Sequence, residues 1–240
     1  MYYNQNSGIN TRSVTFNLIA INVIVFIASM LIGNVFYEQF SLHYLFNVHD
    51  YIRSVDATMQ SRFQPWQLIT HMFMHGNFGH IFSNMFAVFM FGTVLEKVWG
   101  GPRFLFFYFS TGLGAVLLHA AVQLYLVYSA TGSVDPILAK IMEHPEIAST
   151  YFSTTVGASG AVFGILVGFG MLFPNTELMM LFLPIPIKAK YFVSLYVVWE
   201  LYRGISMSHG DNVAHFAHLG GALFGFIIIK IWNKNRTHLF

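Results

Sequence analysis

Ser159 stands in VGASGAVFG (156–164), and His218 in AHFAHLGGALFGF (214–226). A serine hydroxyl is a weak nucleophile until a neighbouring base takes its proton, and imidazole is the usual base. Each residue also has a plainer reading. Ser159 could be a small residue at a helix contact, and His218 a buried histidine bonded to a carbonyl. The glycines around them favour chemistry. Gly160, Gly164 and Gly168 recur every fourth residue after Ser159, and Ala217, Gly221 and Gly225 do so beside His218. Two such faces pack backbone to backbone. In register, they would bring His218 to the Ser159 hydroxyl. His215, one turn nearer the loop, reads as structural. No carboxylate stands near either residue in the expected spans, so a Ser–His dyad is expected. Packing must then orient the imidazole. Phe163, at i+4 from Ser159, is placed to do so.

Acyl transfer also needs hydrogen-bond donors for the oxyanion. The segment HMFMHGNFGHIFSNMF (71–86) offers His80 and Asn84 on one helix face. They could instead cap the helix or glue it to a neighbour. As polar groups inside an apolar span, they are expected to face the bundle interior. Asn84, His80 and the Ser159 backbone N–H are the expected oxyanion donors. His71 and His75 share an i, i+4 spacing but lack the glutamate of H-E-x-x-H, so no metal is expected. No dinucleotide, P-loop or haem motif is present, and no cofactor is expected.

The elements that must position these residues are membrane helices. Of 240 residues, 55% are hydrophobic and only 9% charged, with a mean hydropathy of +0.58. A soluble domain carries roughly 25% charged residues. Cysteine is absent, which excludes disulfides and thiolate chemistry. The net charge of +2 gives no nucleic-acid footprint. The expected fold is an all-α polytopic membrane protein of six transmembrane helices. They fall near 14–36, 80–99, 102–128, 157–173, 190–202 and 214–232, between a polar N-terminus (1–13) and a short tail (233–240). The first apolar run is too long for a signal-peptide core and reads as a retained span. Pro184 and Pro186 interrupt the apolar run before the fifth, and this short, proline-flanked span is a candidate mobile gate. The fourth reaches only about 25 Å against about 30 Å of hydrocarbon, so Ser159 would start below the outer surface, in a protein-lined cavity.

With six spans, Arg12, Lys97, Arg103, Lys188, Lys190, Lys230, Lys234 and Arg236 share the side of the termini. Arg53, Arg62, Lys140 and Arg203 share the other with most of the acids. Both termini are therefore expected in the cytoplasm, with the active site opening outward. A bacterial inner membrane is the expected setting.

Taken together, GASG at Ser159, the His80–Asn84 pair, AHLGGALFG after His218 and GTVLEKVWG after the second span resemble the rhomboid family of intramembrane serine proteases. They occur in the family's order across nearly the whole chain. The resemblance implies Ser159 as nucleophile, His218 as general base, and His80, Asn84 and the Ser159 N–H as the oxyanion site. It gives Gly157 a part in the turn before the nucleophile. Phe163 takes the place of a tyrosine stacked on the histidine, and Glu96 that of an acid tying the second span to the adjacent loop. It also implies single-span membrane proteins as substrates. Trp66 is followed by Gln67 where the family often has arginine, and the loop 129–155 is longer than in compact members. Two other functions stay open: an inactive relative that escorts membrane helices, and a small-solute transporter using the histidines as a relay.

Overall fold

The first helix begins where Ser13 turns its hydroxyl back onto the Phe16 N–H, capping the apolar run that follows. The computed structural model describes residues 13–45, 63–136, 138–180, 183–206 and 212–234. The N-terminal arm, the tail after 234, Arg53, Arg62 and the loop at 209–211 lie outside these residues.

The long helices are α1 (Val14–Ile32), α2 (Phe78–Trp99), α3 (Gly101–Thr131), α4 (Ser159–Leu172), α5 (Ala189–Ile205) and α6 (Asn212–Lys234). The molecule is a helical polytopic membrane protein. α1, α2, α3 and the Ala214–Lys234 stretch of α6 are long and apolar enough to cross a membrane, and α4 is a shorter apolar helix.

Several boundaries differ from expectation, each for a local reason. The first span ends at Ile32 rather than near 36, because Gly33 takes φ +84° and breaks the helix before a short turn of helix at Asn34–Phe40. The third runs on to Thr131, where Gly132 closes it in the left-handed conformation. The fifth helix starts at Ala189, close to the expected 190, and runs on to Ile205, while Pro184 and Pro186 lie before it. They sit in β2 (Leu183–Lys188), which pairs antiparallel with β1 (Glu177–Met180), with Glu177 opposite Lys188 and Leu178 opposite Ile187. In this two-stranded ribbon each strand is an edge, and an edge tolerates proline.

α4 forms the centre. Its residues from Gly160 to Gly170 are all buried, as expected of a helix that is apolar all round. Small residues let its neighbours close in. A Cβ at Gly164 would lie 2.5 Å from Thr111 Cβ on α3, and one at Gly225 would lie 2.9 Å from Gly164 Cα. A π turn at Val88–Gly92 widens α2, and Gly92 there admits Phe104 of α3.

Glu96 ties α2 to α1 rather than to the adjacent loop. Its carboxylate accepts from Ser13 Oγ at 2.8 Å and from the Val14 and Thr15 N–H groups at 2.7 and 2.9 Å. Those N–H groups have no partner within their own helix, so the acid completes the N-terminus of α1 from 81 residues or more away in sequence. The loop after α3 also has structure. Short helices at Leu138–Met142 and Pro145–Phe152 pack Ile141 and Tyr151 against Val127 and Tyr44, forming a small second core.

Candidate active site

Ser159 is the first residue of α4, after an Ala158 N-cap that offers no side-chain cap. The first N–H groups of a helix lack intrahelical acceptors, so the Ser159 backbone donor stands at the positive end of α4. The chain enters through Gly157, whose φ of +121° suits glycine. The Gly157 N–H donates to the His71 carbonyl at 2.9 Å. That bond holds the turn against the segment between α1 and α2.

The two small-residue ladders meet. A Cβ at Gly221 would collide with the Gly160 carbonyl oxygen, so α6 lies directly on the first turn of α4. His218, nearly one turn before Gly221, is thereby set beside Ser159. Its Nε2 lies 2.9 Å from Ser159 Oγ. Phe163 stacks on the imidazole, with ring centroids 4.4 Å apart and planes 11° from parallel. Tyr196 of α5 also lies against Phe163, with ring centroids 4.7 Å apart.

His80 and Asn84 occupy the first turns of α2, opened by Asn77, whose side chain caps the His80 N–H. The His80 ring lies against the turn before the serine. A Cβ at Gly157 would fall 2.7 Å from His80 Nε2 and 3.7 Å from Ser159 Oγ. Asn84 is buried and donates from Nδ2 to the His80 carbonyl at 3.0 Å, which leaves its amide a second N–H. The structure thus brings Ser159, His218, Phe163, Gly157, Gly160 and His80 together around one point.

The expectation that no carboxylate stands near these residues is wrong. Glu200 of α5 is only 4% exposed, and its Oε2 lies 2.8 Å from His218 Nδ1 and 2.7 Å from His215 Nδ1. The residue lies inside the expected fifth span, in LYVVWELY (195–202), and an acid in so apolar a run was the available signal. These three side chains bring ligand-type atoms within 4.8 Å of one another, but the short Nδ1–Oε2 approaches are those of hydrogen bonds.

A cavity of about 20 Å³ lies beside Ser159, lined among others by His71, His119, Thr155 and Gly157, with room for about one water. His119 Nε2 is 2.9 Å from Thr155 Oγ1. Burial lowers His71 to a pKa of about 4; its Nδ1–H bond to the Gln67 carbonyl opposes the shift and the neighbouring His119 adds to it. His75 is also lowered to about 4, by burial and then by His80. In place of the family's arginine, Gln67 is buried. Its side chain donates to the Gln39 carbonyl and accepts from the Gln64 and His43 N–H groups, pinning the two ends of the first loop.

Residues 62–234 match the family model of the rhomboid domain. The chain is 30% identical over 173 residues to Rhomboid protein 1, mitochondrial, of Saccharomyces cerevisiae, covering 70% of this chain and 43% of that one. It is 26% identical over 230 residues to RHOMBOID-like protein 12, mitochondrial, of Arabidopsis thaliana, covering 95% and 61%. It is 25% identical over 231 residues to the Rhomboid protease AarA of Providencia stuartii, covering 90% and 71%. The chain therefore spans about half the length of the first two. With the matched domain covering most of its length and the site geometry above, this chain belongs to the rhomboid family.

Proposed function

We propose that the protein is an intramembrane serine endopeptidase that hydrolyses peptide bonds in or near the transmembrane helices of single-span membrane proteins. The observation that carries this reading is the 2.9 Å approach of His218 Nε2 to Ser159 Oγ, with the imidazole stacked on Phe163. Nucleophile and base in hydrogen-bond reach, with the base held by a third group, is the general arrangement of serine hydrolysis. That the similar bacterial protein is named a protease points the same way.

In this mechanism Ser159 Oγ–H donates to His218 Nε2 as the oxygen attacks the scissile carbonyl carbon. Negative charge develops on the carbonyl oxygen. The Ser159 N–H at the start of α4, the second N–H of Asn84 and His80 stabilise it. The imidazolium then gives its proton to the leaving amine. A water, deprotonated by the same histidine, hydrolyses the acyl-enzyme and restores Ser159. A peptide bond within a helix is hidden by its own hydrogen bonds, so the substrate must unwind first. Glycine, proline or polar residues near the outer end of a substrate helix favour this. Loop charge favours both termini on the cytoplasmic side, with the site toward the outer face. A bacterial inner membrane is the setting proposed here, and a mitochondrial membrane is the alternative, because two similar proteins are named mitochondrial.

Cleavage of a single-span reporter in liposomes tests the reading, with wild type compared to Ser159→Ala and His218→Ala, both checked for fold by circular dichroism. The expected result is cleavage by wild type and none by either folded variant. Equal cutting by all three would refute Ser159 and His218 as the reacting pair. A wild type that neither cuts nor reacts with a serine-directed covalent probe would instead make the chain an inactive helix-binding relative.

A further inference from the structure

Glu200 is a buried carboxylate on α5, in a chain whose helices α1, α2, α3 and α6 turn apolar residues outward. Such a group is costly unless paired. Here two donors on α6 meet the same oxygen. Oε2 lies 2.7 Å from His215 Nδ1 and 2.8 Å from His218 Nδ1. A carboxylate only accepts hydrogen bonds, so both imidazoles present Nδ1–H to it. In a neutral imidazole the other nitrogen is then a bare acceptor. For His218 that nitrogen is Nε2, the atom that faces Ser159 Oγ.

Stacking on Phe163 fixes the plane of the His218 ring but not its identity within that plane. A half-turn about Cβ–Cγ leaves the stacked faces in contact while exchanging Nδ1 with a carbon. A tautomer change leaves them in contact too, yet moves the proton onto Nε2, where the serine needs an acceptor. Glu200 opposes both, because only Nδ1–H aimed at α5 satisfies its oxygen. His215 pins that oxygen from a second direction.

We propose that Glu200 is a positioning residue for this site. It holds His218 in the Nδ1–H tautomer and the productive ring orientation, and it steadies the imidazolium formed when His218 takes the Ser159 proton. The site then works as a Ser–His–Glu relay of contacts drawn from α4, α6 and α5, rather than as a dyad. Only one proton moves, from Ser159 Oγ to His218 Nε2, and Glu200 stays an acceptor throughout. This inference rests on the roles proposed above for Ser159 and His218.

Two measurements test it. The first is steady-state cleavage of the reporter by wild type, Glu200→Gln and a Ser159→Ala control in liposomes, with thermal unfolding followed in parallel. Glutamine keeps the size but offers Nδ1 an N–H donor, which favours the wrong tautomer. The expected result is a fall in kcat of about 100-fold or more with KM within about twofold, as for wrong-tautomer variants of serine proteases. Lowered thermal stability with unchanged kcat would make Glu200 a mere tie between α5 and α6, and would overturn the inference. The second is 15N NMR of the imidazoles of the full chain in detergent, which needs no turnover. His218 in wild type is protonated at Nδ1 and bare at Nε2. The opposite tautomer would overturn the inference even if Glu200→Gln failed to fold. Reporter cleavage by the Ser159→Ala control would defeat the underlying assignment of the nucleophile instead, and the NMR result would still judge Glu200.

Discussion

Gly221 of α6 faces the carbonyl oxygen of Gly160 so closely that a single methyl at position 221 would collide with it. The obstacle is backbone, so no rotamer change relieves it. Gly221→Ala must push α6 from the start of α4, moving His218 away from Ser159. We expect a loss of about 3 kcal/mol, the upper part of the range for overpacking, and cleavage reduced by two orders of magnitude or more. Gly225→Ala, with 2.9 Å to Gly164 Cα, is expected to be milder in both. Thermal unfolding in detergent and reporter cleavage check the pair.

Gly157 faces two demands at once. Its φ of +121° is rarely adopted by other residues, and a side chain there would meet His80 Nε2. Gly157→Ala is expected to displace both the turn into α4 and the His80 ring. Labelling of Ser159 by a fluorophosphonate should slow by about 100-fold, the scale on which oxyanion donors act. Normal labelling would show that the turn tolerates the change.

Glu96 gives a contrasting case, because its contacts are at the start of α1. Glu96→Gln replaces the anionic acceptor for two helix N–H groups and a hydroxyl. The expected cost is about 2 kcal/mol, in line with hydrogen bonds to charged groups. The thermal midpoint falls, while kcat and KM of the folded protein stay at wild-type values. A matching loss of kcat would place Glu96 closer to the chemistry than its position in the fold allows.

Low pH should destabilise the fold through the segment before α2. His71 and His75 have pKa values lowered to about 4 by burial, against about 6.5 in an unfolded chain. Above pH 6.5 both states are neutral and nothing is lost. Between about 6.5 and 4 the unfolded chain takes up protons that the fold refuses, so stability falls as pH drops. The full effect approaches about 3 kcal/mol per histidine. His75→Phe is expected to reduce the slope of unfolding free energy between pH 6.5 and 4.5, measured by denaturant titration in detergent.

The register of the site was legible because it depends on a period. Gly160 and Gly164 repeat every fourth residue, as do Gly221 and Gly225, and the helices meet along those rows. Phe163 followed from the same period, being one turn from Ser159. What escaped the sequence depends on contact between distant segments. Glu96 reaches α1 rather than its own loop, and no local pattern records where α1 begins in space. Pro184 and Pro186 alternate in the manner of an edge strand, but two prolines inside an apolar run read more readily as a broken helix. Glu200 was visible as an acid among apolar neighbours. Its partners stand 15 and 18 positions later, too far for helical spacing to join them and near enough only once α5 folds back on α6.

The Glu200 contacts also bear on how the chain enters the bilayer during synthesis. α5 emerges from the ribosome before α6 and carries a carboxylate whose donors, His215 and His218, are not yet made. An acidic residue at the centre of a lone inserting helix costs about 3 kcal/mol on translocon scales, and Glu200, within the C-terminal half of the 17-residue α5, bears part of that cost. α5 alone is therefore a poor guest in lipid, whereas α5 and α6 arriving together bring the acid already bonded. A nascent chain halted after α5 should be held at the translocon or cleared by quality control, and α6 both completes the site and licenses its predecessor to stay in the membrane.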